Sequence, residues 1–545
     1  VKGRDGNGDS FDEEADYVVV GAGSAGCVLA DRLSRSGRDR VVLLEAGSSD
    51  SSPWIHIPLG YGKLFNDRRY NWLYESEPQP ELNGRVIKQP RGKVLGGSSS
   101  INGLVYIRGQ REDFDGWRQQ GCAGWSYEDV LPYFRRAEDQ MRGADDFHGA
   151  GGPLAVSDRT EPHPLCDAFI EACAEAGLPR NEDFNGASQE GAGYYQMTAR
   201  RGRRCSTAVG YLRPARGRTN LSVVTEAMAT KVIFEGRRAV GIAYRRGGEE
   251  RRIRARREVI LSGGAINSPQ LLQLSGVGPA ALLSRHGIPV VAERRDVGEQ
   301  FQDHLQLRLV MRCSQPITLN DDMASLLGKA RIGLRYLLQR KGPLTVCAGY
   351  GGAFFRTSER LATPDVQVHF LTFSTDKMGE NLHSFSGFTA STCQLRPESR
   401  GSLRIKSADP MAAPAIDPNY LGTELDRVTN VEGFKLLRQY LAMPAMRPFV
   451  TGEEIPGPDV RTDDEILAYA RQFSTTIYHP SCSCRMGGDE HSVVDERLRV
   501  RGVEGLRVAD GSVMPSVVSG NTNAAIIMIG EKASDMILED AAAAA

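Results

Sequence analysis

Residues 21–26 read GAGSAG and place three glycines at the G-x-G-x-x-G spacing. This arrangement holds phosphate with backbone rather than with charged side chains. Gly21 permits a tight turn, Gly23 lets the main chain approach a pyrophosphate, and Gly26 allows a helix to pack closely on a strand. The N-terminus of the helix that follows favours negative charge. Glu45, 19 positions past Gly26, sits at the interval where a carboxylate accepts hydrogen bonds from ribose hydroxyls. The motif alone fits a nicotinamide or a flavin dinucleotide. Other reactive side chains say less by themselves. His479 stands before proline in TTIYHPSCSCRMG, where a lone histidine is more often a turn residue than a base. Cys482 and Cys484 are too close along the chain for good disulfide geometry, so neither a redox pair nor a metal site is expected from them. No G-x-S-x-G sits near a strand, which disfavours a serine hydrolase.

These residues need elements to hold them. Residues 15–20 (ADYVVV) form a β-branched run ending in Gly21, and residues 25–33 carry apolar positions at helical spacing. A second apolar run, 41–44, ends in Glu45, so the first 47 residues read as a βαβ unit with parallel strands. Residues 86–109 hold too many small side chains for one regular helix. Residues 221–261 alternate apolar and polar, with turns at Glu235-Gly236 and Gly247-Gly248, and read as an antiparallel meander. Ile253 and Ala255 interleave with the arginines of 251–257 at period two, which predicts the solvated face of a strand rather than an anion site. Residues 259–261 run into Gly263-Gly264 as another buried strand. Helical patterns follow near 324–340 and 426–442, with strand-like stretches near 366–373 and 387–395. No internal repeat or low-complexity linker separates the parts.

The 545 residues suggest three to four domain-sized units and room for a large core. Sixty-seven basic against 68 acidic residues leave a formal charge of −1, so no global field is present to hold nucleic acid or an anionic membrane. Ten cysteines fall far short of a disulfide scaffold and point to a reducing, cytoplasmic compartment. The polar, acidic opening has no signal-peptide pattern and no run of 18 apolar residues occurs, so neither secretion nor a spanning helix is expected. Residues 1–13 and 541–545 are read as tails. Sixty glycines, about 11% against the usual ~7%, point to tight turns or close approach to a ligand.

Three more segments narrow the reading: RGKVLGGSSSINGLVYIRG (91–109), GGAINSPQLLQLSGVGP (263–279) and LRVADGSVMPSVVSGNTNAAIIMIGEKASDMI (506–537). With GAGSAG they stand in the order of the glucose-methanol-choline (GMC) oxidoreductase family of flavoproteins, which the chain resembles over about 14–540. The resemblance implies an α/β and α+β architecture. A Rossmann-like FAD-binding domain would be discontinuous over 14–160, 205–310 and 464–540. A substrate domain over 161–204 and 311–463 would be built on an antiparallel sheet backed by helices. On the family's pattern the cofactor contacts fall on Gly21, Ala22, Gly23, Ser24, Ala25, Gly26, Glu45, Ala46, Val94, Gly97, Ser98, Asn102, Gly103, Val232, Asp510 and Thr522. Val232 matches a position whose backbone touches adenine. Asp510 matches a carboxylate that accepts from ribityl hydroxyls or fixes backbone donors. Some members carry a histidine in the GGSSS segment that bonds covalently to the flavin; here Ile101 stands in that stretch and no histidine lies between 57 and 147, so non-covalent FAD is expected.

The resemblance also makes His479 the expected catalytic base and Asn521 its partner, while His304 and His369 are expected to be structural. The reaction it implies is oxidation of a primary alcohol to an aldehyde. His479 takes the hydroxyl proton, Asn521 hydrogen-bonds the developing alkoxide, and hydride passes to flavin N5, at rates that rise with pH through a group near or above neutrality. O2, a quinone or another acceptor then reoxidises the flavin; no metal takes part. A choline dehydrogenase, a flavin-dependent lyase or photodecarboxylase on the same scaffold, and a non-catalytic flavoprotein are the alternatives. Choline-type members carry a glutamate just before a G-G-F segment. In TVCAGYGGAFFRTS Tyr350 falls there, so Tyr350 is expected in the substrate pocket. Neutral alcohols, whether aromatic, furanic, medium-chain or polyether, are expected to outcompete choline, because an aromatic face attracts a cation by only roughly 0.5–2 kcal/mol.

Overall fold

The computed structural model describes residues 11–377 and 379–543; residues 1–10 and 544–545 of the expected tails lie outside the described residues. The first strand begins at Glu13, and residues 541–543 complete the last helix, Asn523–Ala543, rather than a tail. Among the described residues two seven-stranded sheets organise the chain.

In the first sheet Glu13–Val20 runs parallel to Val41–Leu44 on one side and to Glu249–Leu261 on the other. Tyr17, Val18, Val19 and all four residues of Val41–Leu44 are buried, as helix-covered parallel strands must be. The crossover helix Ser24–Ser34 packs against Asn523–Ala543. Gly21 adopts φ +99°, and a Cβ there would come 2.5 Å from the Ser262 carbonyl oxygen. A Cβ on Gly26 would come 1.9 Å from the Gly21 carbonyl oxygen, so helix and turn touch through missing side chains.

Met228–Glu235, Arg238–Arg246 and Glu249–Leu261 form the antiparallel meander, with Gly236, Gly247 and Gly248 at positive φ in its turns. Ile253 and Ala255 are buried within it, while Arg251 and Arg256 pair with Glu249 and Asp16. Leu221–Val224, expected as the first strand of that meander, instead pairs in parallel with Val41–Leu44 at the other edge of the sheet. After it the chain crosses the ends of the parallel strands, where the Glu226 and Ala227 N–H groups donate to the Gly47 and Glu45 carbonyls at 2.9 and 2.8 Å. Apolar alternation is the same for a strand on either edge, so it carries no trace of this crossing.

The second sheet runs Val450–Ile455, Leu305–Cys313, Gly387–Gln394, Val366–Leu371, Gly351–Phe355, Gly191–Tyr194, antiparallel throughout. Helices Pro164–Glu175 and Glu424–Ala442 back it, with Phe169, Phe370, Phe388 and Phe434 in one apolar cluster. Leu305–Cys313 belongs to this sheet along its whole length, so the boundary expected at 310 cuts a strand. The chain leaves the first sheet at Leu261 and enters the second at Leu305, directly after Asp303 and His304.

Candidate active site

A cleft of about 1140 Å3 opens where the parallel strands of the first sheet end, the place where open α/β sheets take ligands. Of the residues expected to contact a cofactor, Gly21, Gly23, Ser24, Ala25, Glu45, Ala46, Gly97, Ser98 and Asp510 line it. A Cβ on Gly23 would find its nearest protein atom 3.8 Å away, so the backbone there faces open space of the kind a pyrophosphate needs. The buried Glu45 carboxylate accepts from the N–H groups of Ala22 at 2.9 Å and Gly47 at 2.7 Å, and burial pushes its pKa up to about 7. Asp510 accepts from Gly264 N–H, the Ser268 hydroxyl and Ser512 N–H at 2.6–2.8 Å, and burial raises its carboxyl as well. Both acids fix backbone donors around the cleft. The donor set and the room suit a dinucleotide.

Four expected positions stand behind this wall. Ala22 is buried in the turn itself and Gly26 in the start of the helix that follows. Val94 packs with Ile55 and Leu64, and the N–H of Val232 donates to Ser275 Oγ at 2.8 Å. The backbone that borders the cleft is that of Ala227, Met228 and Ala229. By Val232 the strand has carried the chain into the core, so Val232 does not border the cleft as expected.

A second cavity of about 1200 Å3 adjoins the first and shares Ser24, Arg91, Ser98 and Ile526 with it. Asn102, Gly103, His479, Asn521 and Thr522 are on its wall, with Ile101. The loop bearing Asn102 is clamped by the buried Arg204, whose guanidinium donates to the carbonyls of Ile55, Ser99 and Asn102 and to Asn102 Oδ1 at 2.6–3.1 Å. Tyr350 does not line this cavity. Its ring packs in the core beside His163 and Tyr194, and its hydroxyl donates to the Glu161 carbonyl. Gly349 at φ +106° turns the chain between Ala348 and Tyr350, so Ala348, whose N–H is held by the Gly103 carbonyl at 2.8 Å, faces the cavity instead.

His479 is nearly enclosed, and its protonation pattern follows from its neighbours. The Leu395 carbonyl lies 2.9 Å from His304 Nε2; a carbonyl only accepts, so Nε2 carries the proton and the neutral ring leaves Nδ1 bare. That Nδ1, 3.0 Å from His479 Nδ1, must accept from it. The proton of His479 is therefore on Nδ1, and its Nε2 is bare. Asn521 Nδ2 donates to this Nε2 at 3.1 Å, and Gln367 Nε2 donates to Asn521 Oδ1 at 3.2 Å, which sets the amide's orientation. Asp303 Oδ1 accepts from the backbone N–H groups of His479 and His304 at 2.7 and 2.9 Å, and its Oδ2 accepts from the Tyr420 and Thr476 hydroxyls. Burial, then the neighbouring His304, His369 and Arg91, holds His479 well below the ordinary histidine range. This corrects the expectation of a base titrating near or above neutrality.

Asp303, His304, Arg91 and His369 were not expected to act in the site. His304 sets the tautomer of His479, and His369 lies on the cavity wall with burial lowering its pKa to about 4. Arg91 lines both cavities and donates to the Tyr478 carbonyl at 2.7 Å. The available signal was the polar run Gln302-Asp303-His304 opening an apolar strand. Cys482 and Cys484 are buried, and burial pushes both thiols up, Cys482 to about 12.

Comparison with known proteins agrees with this geometry. The GMC oxidoreductase family model matches residues 15–306 with its N-terminal part and 397–530 with its C-terminal part. The mitochondrial choline dehydrogenase of Homo sapiens is 46% identical over 538 residues, covering 96% of this chain and 90% of that protein. An alcohol dehydrogenase [acceptor] of Pseudomonas putida is 45% identical over 527 residues, covering 96% and 95%. A variant of Aspergillus oryzae formate oxidase, studied for its FAD modification, superposes with a TM-score of 0.91 at 26% identity, covering 97% of this chain and 99% of that one. The chain belongs to the GMC oxidoreductase family.

Proposed function

We propose that this FAD-dependent oxidoreductase converts a neutral primary alcohol to its aldehyde, with His479 as the base and FAD held non-covalently. The observation that carries the reading is the bare Nε2 of His479, 3.1 Å from Asn521 Nδ2, on the wall of a cavity that opens into the dinucleotide cleft. Backbone of residues 21–25 would hold the pyrophosphate and Glu45 the ribose. A bound flavin supplies the two-electron acceptor for the α-carbon hydride. His479 Nε2 takes the hydroxyl proton and Asn521 Nδ2 donates to the same oxygen. Such general-base help is worth roughly 10²–10⁴-fold. His304 Nδ1 keeps accepting from His479 Nδ1–H and so steadies the imidazolium that forms. Tyr61, Phe65, Ile101 and Leu371 make the adjoining wall largely apolar, which keeps water from competing for the same proton.

The charge of the cavity favours a neutral substrate over choline. Among the described residues its wall carries no carboxylate, while Arg91 and Arg308 both reach it. A trimethylammonium group entering here meets like charge in a partly desolvated space instead of a counter-ion. Ile101 supports a non-covalent flavin. The ten buried free cysteines suit a reducing cytoplasm, and O2 or a quinone would take the electrons. On this reading 14–160, 205–304 and 464–540 carry the flavin, and 161–204 with 305–463 cover the substrate.

The test is anaerobic mixing of the yellow holoprotein with benzyl alcohol, hexanol or choline at equal concentration, following loss of flavin absorbance. The neutral alcohols should bleach the flavin faster. A preference for choline would restore the choline dehydrogenase reading, and an absorbance unmoved by all three would remove the alcohol reading.

A further inference from the structure

The helix Leu326–Gln339 buries Gly328, Ile332 and Tyr336 at four-residue spacing. Ile332 packs with Leu371 and Phe373, and Leu371 is also on the wall of the second cavity. The opposite side of this helix carries leucine rather than the charged residues a solvated face should show. Leu326, Leu327, Leu334, Leu337 and Leu338 are 58–84% exposed, and Met323 just before the helix is 38% exposed. At about 100° per residue, the five leucines and Ala330 fall in one continuous arc of roughly 120°, away from the buried stripe. Exposed leucines scattered over a surface are ordinary, but a row on one helix is not.

The margins of the arc are basic. Arg331 and Arg335 lie on one side, Lys329 and Arg340 on the other, and Lys341 follows; from 323 to 341 the sequence contains no acidic residue. Arg331 pairs with Asp322 and Arg335 with Glu161, and the Arg340 guanidinium lies over the Tyr336 ring at 4.7 Å. Among the described residues Lys329 and Lys341 have no ion pair. An apolar arc rimmed by cations is the pattern of a helix lying in the plane of a lipid interface, with leucine in the acyl boundary and the cations among anionic headgroups. Fourteen residues span only about 21 Å, too short to cross a bilayer. Among the described residues no helix is long and apolar enough to do so. A second copy suits the face less well, since a self-complementary contact would set one cationic rim against another.

We propose that the outward face of Leu326–Gln339 docks the protein on an anionic phospholipid surface, placing the substrate cavity next to the bilayer. The formal charge of −1 for the whole chain does not oppose this, because the attraction is local and acts within a Debye length of about 10 Å. The experiment is flotation of the holoprotein with vesicles of phosphatidylcholine alone or with added phosphatidylglycerol, at low and high salt. Wild type should float with the anionic vesicles and less so at high salt. The triple variant Leu334→Ser, Leu337→Ser, Leu338→Ser should bind at least roughly tenfold more weakly. Lys329→Gln with Lys341→Gln should lose mainly the preference for anionic lipid. Flavin content and flavin bleaching by a water-soluble alcohol should stay at wild-type level in both variants, which shows that the fold is intact. The proposal is overturned if wild type floats with neither vesicle, or if the triple serine variant floats as well as wild type. It is equally overturned if size-exclusion shows that the face joins two copies and the serine variant merely separates them.

Discussion

At His479 reactivity turns on which nitrogen is bare, and that is decided 175 residues away, at His304. His479→Ala removes the proton acceptor and should slow anaerobic flavin reduction by at least ~10²-fold while the flavin stays bound. His304→Leu leaves the Nδ1–H of His479 without its acceptor, a buried donor whose loss costs about 1–3 kcal/mol, and allows the proton to move to Nε2. It should slow reduction by roughly tenfold or more without changing the reacting ring. The pH profile separates the two roles. Because the folded site depresses the pKa of His479, the wild-type rate should be flat from neutral pH upward and should fall only in acid, as the ring protonates. A wild-type rate climbing between pH 7 and 9 would mean that another group supplies the base. His479 and Asn521 were legible as motif positions. Their orienting partners Asp303, His304 and Gln367 were not, since each reaches the site from a part of the chain with no sequence link to the motif.

Among the elements, the βαβ unit was readable because each of its signals is local: a β-branched run, glycines that a Cβ would push into neighbouring backbone, and an apolar helix face. Leu221–Val224 was misplaced because pairing partner and sheet edge are not local properties. Tyr350 was misplaced for a different reason, one turn at Gly349 that reverses which side faces the cavity. The loop from Gly97 to Gly103 lies between these cases. Its small residues showed that something packs on it, but Arg204, which holds it, comes from a segment with no family signature. Within that loop Ile101 presents only hydrocarbon to the cavity and has no nitrogen to bond to a flavin ring. Acid precipitation of the yellow protein should therefore leave the flavin in the supernatant and the pellet colourless. Flavin retained by the denatured chain would show a covalent link through another residue.

At the scale of the whole molecule, two sets of histidines pull stability in opposite directions with pH. His304, His369 and His479 are buried together where the sheets meet, and burial lowers the pKa of each, to about 4 for His369. The unfolded chain, with histidines near 6.5, takes up protons first as pH falls, so stability is lost below about 6.5. His148 behaves the other way. Burial opposes its charge, but hydrogen bonds to Asp183 at 2.9 Å and Glu138 at 3.1 Å raise its pKa to about 9. Glu138 and Asp183 are 45 residues apart in the chain, and the charged imidazole ties the two segments together. Its contribution is complete below its unfolded pKa and is lost as pH rises through about 9. Melting temperature should accordingly pass through a maximum near neutral pH, falling toward pH 5 and again toward pH 9.5. His148→Gln should lower the maximum and flatten the alkaline limb while leaving the acid limb in place. Calorimetric scans of wild type and His148→Gln across that range decide it. Glu45, whose carboxyl burial raises to about 7, takes up a proton in the folded state over the same range and offsets part of the acid loss, so a wild-type melting temperature that rises from pH 7 to 5 would mean that the three histidines are not held neutral by the fold, and the assignment of a bare Nε2 to His479 would fall with it.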